Sequence, residues 1–166
     1  MIILERLFPG VEIPMRATEG SAGYDLHAFL AGRTVQCSDG QSRWNLSASP
    51  SEEGAFAIAL DPGIMALVPL GFRARLPMGV EAQIRPRSGA AFAKGLRIPN
   101  APGTVDSDYP DEWMVLVQNG SAGPVLIHHG DRIAQMILAR YEVIPITDGS
   151  VAITSERIGG FGSTGR

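Results

Sequence analysis

Two short segments of this 166-residue sequence carry side chains that could do hydrolytic chemistry. The first, residues 103–109, reads Gly-Thr-Val-Asp-Ser-Asp-Tyr, so Asp106 and Asp108 stand next to an aromatic ring. Two carboxylates could activate water or bind a metal ion, but Asp-Ser-Asp is also common in turns. Taken alone, the segment fits an Asx turn better than a catalytic site.

The second segment, residues 85–89, reads Arg-Pro-Arg-Ser-Gly and could bind an anion. An arginine offers phosphate a two-pronged donor, and the N–H groups at the start of a helix also favour negative charge. A solvated turn with a serine cap explains the same residues equally well.

Three further segments carry weaker signals. Residues 159–166, Gly-Gly-Phe-Gly-Ser-Thr-Gly-Arg, lack the Lys and the helix of a Walker A loop, but their N–H groups and ring could fold over a nucleotide. Composition alone favours a disordered terminus there. Asp25 within residues 22–26 and Gln135 within residues 130–136 each fit an outward-facing polar side chain on a half-exposed strand.

The elements that must position these residues are predicted to be strands. Four apolar runs rich in branched residues are followed closely by turn-forming residues, as strands usually are: residues 2–4, 56–60, 64–68 and 115–117. Residues 88–94, which contain three alanines and begin with a serine that could act as a cap, predict one short helix after Arg87. Residues 36–54 are polar and rich in serine, and they predict an exposed loop.

These elements predict an all-β fold, a jelly-roll-like antiparallel sandwich or barrel with one short helix and a flexible glycine-rich C-terminal tail. The length and the apolar share of 45% predict one domain. A net charge of −3 without a basic stripe argues against binding to nucleic acid. The single cysteine, Cys37, and the absence of a long apolar run predict a cytoplasmic protein with no membrane association.

Considered together, five segments resemble in order and spacing the five motifs of the trimeric dUTPase family. They are residues 22–26, 86–89, 100–109, 130–135 and 157–165. The resemblance implies an enzyme that hydrolyses dUTP to dUMP and pyrophosphate, which limits uracil incorporation into DNA and supplies dUMP for thymidylate synthesis. It also implies a β domain over residues 1–155 and a mobile tail over residues 156–166 that closes the active site.

The resemblance assigns roles in catalysis. Asp106 would be the general base for the water that attacks the α-phosphorus, and positioning would supply most of the rate because aspartate is a weak base. The phosphates would be bound by Arg87, Ser88, Gly89 and Gln135. A Mg²⁺ ion would be held mainly by phosphates and water, with Asp25 in contact through a metal-bound water.

The resemblance also assigns substrate selection. Tyr109 would lie beneath the deoxyribose and leave no room for a 2′-hydroxyl. The uracil would be bound by Asn100, Gly103, Thr104, Val105 and Met114. The tail residues Arg157, Phe161, Gly162, Ser163 and Thr164 would close over the nucleotide. Family members are homotrimers with sites between subunits, so the same assembly is expected here.

Three departures from the family pattern stand out. The fifth motif is one residue shorter after Arg157, Asp111 stands where a glycine is common, and residues 36–54 look longer than typical. Two alternatives remain open: a dUTP-binding regulatory module, and a relative of the dCTP deaminases. The deaminases need a glutamate in the strand after the third motif, and residues 113–118 contain none.

Overall fold

A computed structural model of the protein describes residues 1–152. The elements are the strands and the helix that follow: β1 (Ile3–Arg6), β2 (Tyr24–His27), β3 (Thr34–Ser38), β4 (Arg43–Ser47), β5 (Ser49–Pro50), β6 (Phe56–Leu60), β7 (Met65–Pro69), β8 (Phe72–Arg75), β9 (Val80–Arg85), α1 (Ser88–Lys94), β10 (Leu96–Arg97), β11 (Gly103–Val105), β12 (Met114–Asn119), β13 (Val125–His128) and β14 (Arg132–Arg140). No helix within residues 1–152 is long and apolar enough to cross a membrane.

The strands form four antiparallel sheets. Their orders are β10-β12-β7-β3-β4, β11-β9-β14-β2, β13-β6-β5 and β1-β8. The four-stranded sheet matters most for function, because it carries segments from four of the five motifs or leads directly into them. The predicted all-β antiparallel fold with one short helix is confirmed.

Alternating burial along the strands builds one core. In β3 the inward residues are Val35 and Cys37, and in β12 they are Val115, Val117 and Asn119. A strand with one buried face shows this period of two because successive side chains point to opposite faces. Burial raises the pKa of the Cys37 thiol, so this side chain stays protonated and packs as a small apolar group.

The predicted segment of residues 36–54 is mostly exposed, as expected, but it is not a loop, because most of it is a β-hairpin. Cys37 pairs with Trp44, and the turn between them is closed by the Asp39 carboxylate, which accepts the amide N–H groups of Ser42 at 2.7 Å and Gln41 at 2.8 Å. These two bonds lower the pKa of Asp39 below its ordinary value, and the bond from Ser42 has the larger effect. Strand β4 is an edge strand without a fully buried residue, although its sequence, Arg-Trp-Asn-Leu-Ser, alternates polar and apolar side chains as a strand does.

The predicted helix over residues 88–94 is confirmed, but the predicted serine cap is wrong. Arg87 occupies the N-cap position in an extended conformation and makes no capping bond, while Ser88 is the first helical residue. The helix ends at Gly95, whose positive φ of 66° suits the left-handed C-terminal position that glycine favours. No helical residue is buried, and only Ala90 packs partly against the core.

The side chain of Asn119 joins three chain segments inside the protein. Its amide nitrogen donates to the carbonyl oxygens of Leu60 at 2.7 Å and Gly123 at 2.8 Å, and its oxygen accepts the backbone N–H of Ser121 at 2.8 Å. Asn119 is fully buried, so each of these bonds replaces water for a group that would otherwise be desolvated without a partner.

We therefore expect Asn119→Ala to lower the free energy of unfolding by roughly 2–3 kcal/mol, because the buried Leu60 carbonyl oxygen loses its bond to Asn119 and the partly buried groups of Ser121 and Gly123 lose theirs. Urea unfolding at one fixed protein concentration measures the loss. Gln118→Ala is the matched control, since this partly exposed neighbour donates only to the Gly63 carbonyl oxygen. Equal losses in the two variants would contradict the role given to Asn119.

Candidate active site

An arginine–aspartate cluster, formed by Asp25, Arg87 and Arg132, lies at one edge of the four-stranded sheet. Arg87 Nε donates to Asp25 Oδ1 at 2.8 Å, and Arg132 Nη1 donates to Asp25 Oδ2 at 3.1 Å. Arg87 also donates from Nη1 to the carbonyl oxygen of Arg132 at 3.3 Å. One carboxylate thus holds two guanidinium groups close together, which leaves an excess positive charge and several N–H donors for an anion.

The cluster lies next to the first turn of α1. A cleft of about 250 Å³ is lined by residues of both, including Arg87, Gly89, Ala90 and Arg132. Ser88 is exposed at the first position of the helix. Two of the predicted anion-binding residues, Arg87 and Gly89, therefore line one concave surface together with Arg132.

Gln135 fixes the backbone that leads into this helix. In the four-stranded sheet Gln135 pairs with Asp25 on one side and Arg85 on the other. Its side-chain Nε2 donates to the carbonyl oxygen of Pro86 at 2.9 Å. The glutamine therefore orients the segment before Arg87, in addition to the phosphate contact that the sequence suggested.

Sequence reasoning missed two residues of this site, Gly23 and Arg132. A Cβ on Gly23 would lie 2.1 Å from Gln135 Oε1, so any larger residue would displace the Gln135 amide from the position it occupies here. The pairing of β14 with β2 shifts in register between Arg132 and Ala134, and such an irregularity hides from the sequence which face Arg132 occupies. Arg132 lies inside the segment 130–135, and its place in that motif was the one signal in the sequence for a role at the site.

The donor set is compatible with a metal ion held through water. Within residues 1–152, no group of three or more His, Cys, Asp or Glu side chains could hold a metal ion. Each oxygen of Asp25 accepts one guanidinium bond and keeps a further acceptor position. Asp25 therefore suits a hydrogen bond from metal-bound water better than direct coordination.

A second group of predicted residues follows β11. Gly103 pairs with Ile84 and Val105 with Ala82, so the strand runs antiparallel along β9. Gly103 is buried, and a Cβ on it would lie 3.0 Å from Asn100 Nδ2, which places the Asn100 amide directly over this backbone. The Asn100 side-chain amide and the backbone next to it can therefore both donate and accept hydrogen bonds at one place. Recognition of a flat polar ring needs donors and acceptors that lie close together in this way.

The chain then turns through residues 106–109. The N–H of Tyr109 donates to the carbonyl oxygen of Asp106 at 3.3 Å. Asp106 and Tyr109 are both exposed. Thr104 is exposed on β11, and Met114 is exposed at the first position of β12. A turn is therefore present, as the residue types predicted, and it presents a carboxylate and an aromatic ring to solvent.

The two groups lie at opposite ends of β9. Val105, just before Asp106, is level with Ala82, while Arg87 follows Ala82 by five residues of extended chain. At about 3.3 Å per residue this separates Asp106 from Arg87 by roughly 16 Å, far beyond side-chain reach. A single chain therefore brings Asp25, Arg87 and Gln135 together but does not bring Asp106 to them. The predicted residues Arg157, Phe161, Gly162, Ser163 and Thr164 lie outside the described residues.

The chain matches the family model described as dUTPase over residues 55–165. The deoxyuridine 5′-triphosphate nucleotidohydrolase of Neorickettsia sennetsu is 40% identical over 156 residues, which cover 93% of this chain and 89% of that protein. The enzyme of the same name from Solibacter usitatus is 47% identical over 109 residues, 66% of this chain and 74% of that protein.

Two solved structures share the fold. The dUTPase of Staphylococcus bacteriophage 80alpha, a variant with dUpNHpp, aligns with a TM-score of 0.72 and 18% identity over 99% of this chain and 98% of that one. A variant of the dUTPase of S. aureus phage phi11, described with a structural Mg(II) ion, aligns with a TM-score of 0.69 and 16% identity over 91% of this chain and 97% of that one. The jelly-roll-like architecture and the predicted family are both confirmed, and the chain belongs to the dUTPase family.

Proposed function

We propose that this member of the dUTPase family hydrolyses dUTP to dUMP and pyrophosphate, and that Mg²⁺ assists. The observation that carries the proposal is the arginine–aspartate cluster, which presents two guanidinium groups beside the first turn of α1. Neutral or singly charged ligands do not need such a site, whereas a triphosphate does. The family then identifies the nucleotide.

The phosphates are bound by the Arg87 guanidinium, the Ser88 hydroxyl, the Gly89 amide and the Gln135 side chain. When bound, Mg²⁺ would neutralise part of the phosphate charge, and Asp25 would help to hold it by accepting a hydrogen bond from a metal-bound water. Donors fixed before the substrate arrives stabilise the charge that develops on the phosphates without reorganisation during the reaction. The Asp25 and Pro86 contacts described above keep Arg87 and the helix start in place.

Asp106 orients the attacking water and takes its proton. The water oxygen forms a bond to the α-phosphorus, and the bond from that phosphorus to the oxygen bridging to the β-phosphate breaks, so that pyrophosphate leaves. Aspartate is a weak general base. The contribution of Asp106 therefore depends mostly on its position relative to the phosphorus.

Selection of base and sugar follows from the turn after β11. Asn100, Gly103, Thr104 and Val105 bind uracil, with Met114 nearby. Tyr109 lies beneath the sugar and excludes a 2′-hydroxyl. Groups built to hydrogen-bond one base lose those bonds with a wrong base, which discriminates more strongly than a loose apolar pocket does.

We further propose that the complete site forms between subunits of a homotrimer. The separation of roughly 16 Å between Asp106 and Arg87 supports this, because one nucleotide can then meet the turn of one chain and the arginine–aspartate cluster of another. Arg157, Phe161, Gly162, Ser163 and Thr164 close the site and exclude water. A cytoplasmic location stays a prediction.

The first test is pyrophosphate release in Mg²⁺ from dUTP, dCTP, dTTP and UTP, with each nucleoside product identified. We expect fast release from dUTP alone and dUMP as its product. Tight binding of dUTP without release would favour the regulatory binding module, and dUMP formed from dCTP would favour the deaminase relative. Either of these results would overturn the proposed function.

A second test removes the base. Asp106→Asn should reduce hydrolysis by at least about a thousandfold and keep dUTP affinity within about tenfold, since it removes the proton acceptor but little binding energy. Turnover and nucleotide binding are measured separately. Asp108→Asn, which changes the other aspartate of the same turn, is the control and should keep near-normal turnover. Near-normal turnover in Asp106→Asn would show that another group is the base.

A third test asks whether sites are shared between subunits. Asp106→Asn and Arg87→Ala chains, each inactive alone, are unfolded together in equal amounts and refolded. In a threefold ring with sites made by neighbouring chains, about one quarter of the sites then receive both intact residues, so about one quarter of wild-type activity should return. Refolding each variant separately provides the control. No recovery in the mixture would mean that each site is built within one chain.

A further inference from the structure

The turn with Asp106 and Tyr109 has little support of its own. Its six residues, 106–111, connect β11 with Glu112, and most of them are exposed. Among residues 1–152, the only hydrogen bond that these six make is the one between Tyr109 and Asp106. The position of the turn is therefore determined mainly by how its two ends are held.

The second end is held by Glu112. Arg33 donates to both carboxylate oxygens, from Nη1 to Oε1 at 2.9 Å and from Nη2 to Oε2 at 2.6 Å. The backbone N–H of Gly71 donates to the same Oε1 at 2.9 Å. The Glu112 and Arg33 side chains are only 14% and 18% exposed, so this two-pronged ion pair is largely shielded from water.

Both partners of Glu112 are themselves fixed. The Arg33 guanidinium lies 4.7 Å from the centre of the Phe8 ring, which stacks on Phe29. Gly71 has a φ of 76°, and a Cβ there would lie 2.6 Å from Val11 and 2.9 Å from Phe29, so its backbone can take this place only as glycine. Three charge-assisted bonds from rigid donors thus define where the turn ends.

The next residue continues the attachment. The carbonyl oxygen of Trp113 accepts a hydrogen bond from the N–H of Leu70 at 3.0 Å. The N–H of Trp113 donates to the carbonyl oxygen of Phe72 at 2.9 Å. From this point the chain is part of β12 and paired with β7. Glu112 is therefore the last residue whose side chain can set the direction in which the turn leaves the sheet.

We propose that Glu112, held by Arg33, is a positioning residue for the turn of residues 106–111 and so for the catalytic and sugar-binding groups, Asp106 and Tyr109. The inference rests on the proposed function. A shielded ion pair contributes little net stability compared with apolar residues of similar size, whereas it does define geometry. Displacement of about 1 Å at a reacting group is enough to lower turnover strongly.

The test compares two substrates on the same enzyme molecules. Glu112→Gln keeps the size of the side chain and removes its charge, and Arg33→Lys keeps the charge and removes the two-pronged geometry. In both variants we expect the ratio of kcat/KM for dUTP to that for UTP to fall by about tenfold, because a displaced Tyr109 admits the 2′-hydroxyl, and kcat for dUTP to fall as well. Loss of folded protein cancels in the ratio, so a role in stability alone would not change it.

Asn119→Ala is the matched control, since Asn119 lies at the other end of β12 and its loss destabilises the protein without touching the turn. This variant should keep the ratio within about twofold of the wild type while its unfolding midpoint falls. An unchanged ratio in both Glu112→Gln and Arg33→Lys would overturn the proposal. If one of these two variants does not fold, the other still decides the question.

A spectroscopic measurement separates this proposal from the proposed function. The chain has three tyrosines, so labelling with 3-fluorotyrosine gives three ¹⁹F resonances, and Tyr109→Phe identifies one of them. Glu112→Gln should shift the Tyr109 resonance and leave the other two unchanged. An unmoved Tyr109 resonance would overturn the positioning role even in an active enzyme. A wild-type chain that releases no pyrophosphate from dUTP would instead overturn the proposed function alone.

Discussion

The carboxylate of Asp25 is the contact on which the candidate site depends. Two guanidinium groups repel each other, and without the shared carboxylate Arg87 and Arg132 would separate into solvent. Asp25 can hold them because it lies on β2, an edge strand of the four-stranded sheet, where it pairs with Gln135. The sheet supplies rigidity, and the carboxylate offsets part of the positive charge beside the start of the helix. At this site the fold therefore serves mainly to hold two positively charged side chains, Arg87 and Arg132, close together.

The residue types predicted the strands where burial is one-sided. Residues 56–60 form β6, and residues 88–94 form α1 without the serine cap that was predicted for its start. The hairpin within residues 36–54 was missed although its signal is present: Val35 and Cys37 in β3, and Trp44 and Leu46 in β4, alternate with polar residues on either side of an Asp39-Gly40 pair. The serine-rich composition is that of a loop, because β4 is an edge strand whose side chains are mostly exposed. Composition alone therefore misses exposed strands, whereas the alternation of side chains identifies them.

The site shows the same division. Asp25, Arg87, Gln135 and the turn at Asp106 were predicted from residue type and family order. Gly23 and Arg132 were missed because their roles depend on distances between strands: one gives space to a glutamine, and the other reaches a carboxylate 107 positions earlier in the chain. Glu112 carried no signal in the sequence, because its three bonds to Arg33 and Gly71 form only in the folded chain.

Helix α1 has a thermodynamic consequence of its own. A helix of seven residues is too short to be stable alone, and this one buries none of its side chains, so the core contributes little to keeping it folded. Its opening therefore costs less free energy than unfolding of the sheets around it, and it belongs to the least stable part of the local energy landscape. The Asp25 and Pro86 contacts keep the first turn in place, so the weakly held part is the remainder of the helix. A ligand that binds at the first turn therefore also stabilises the residues that follow it in the helix.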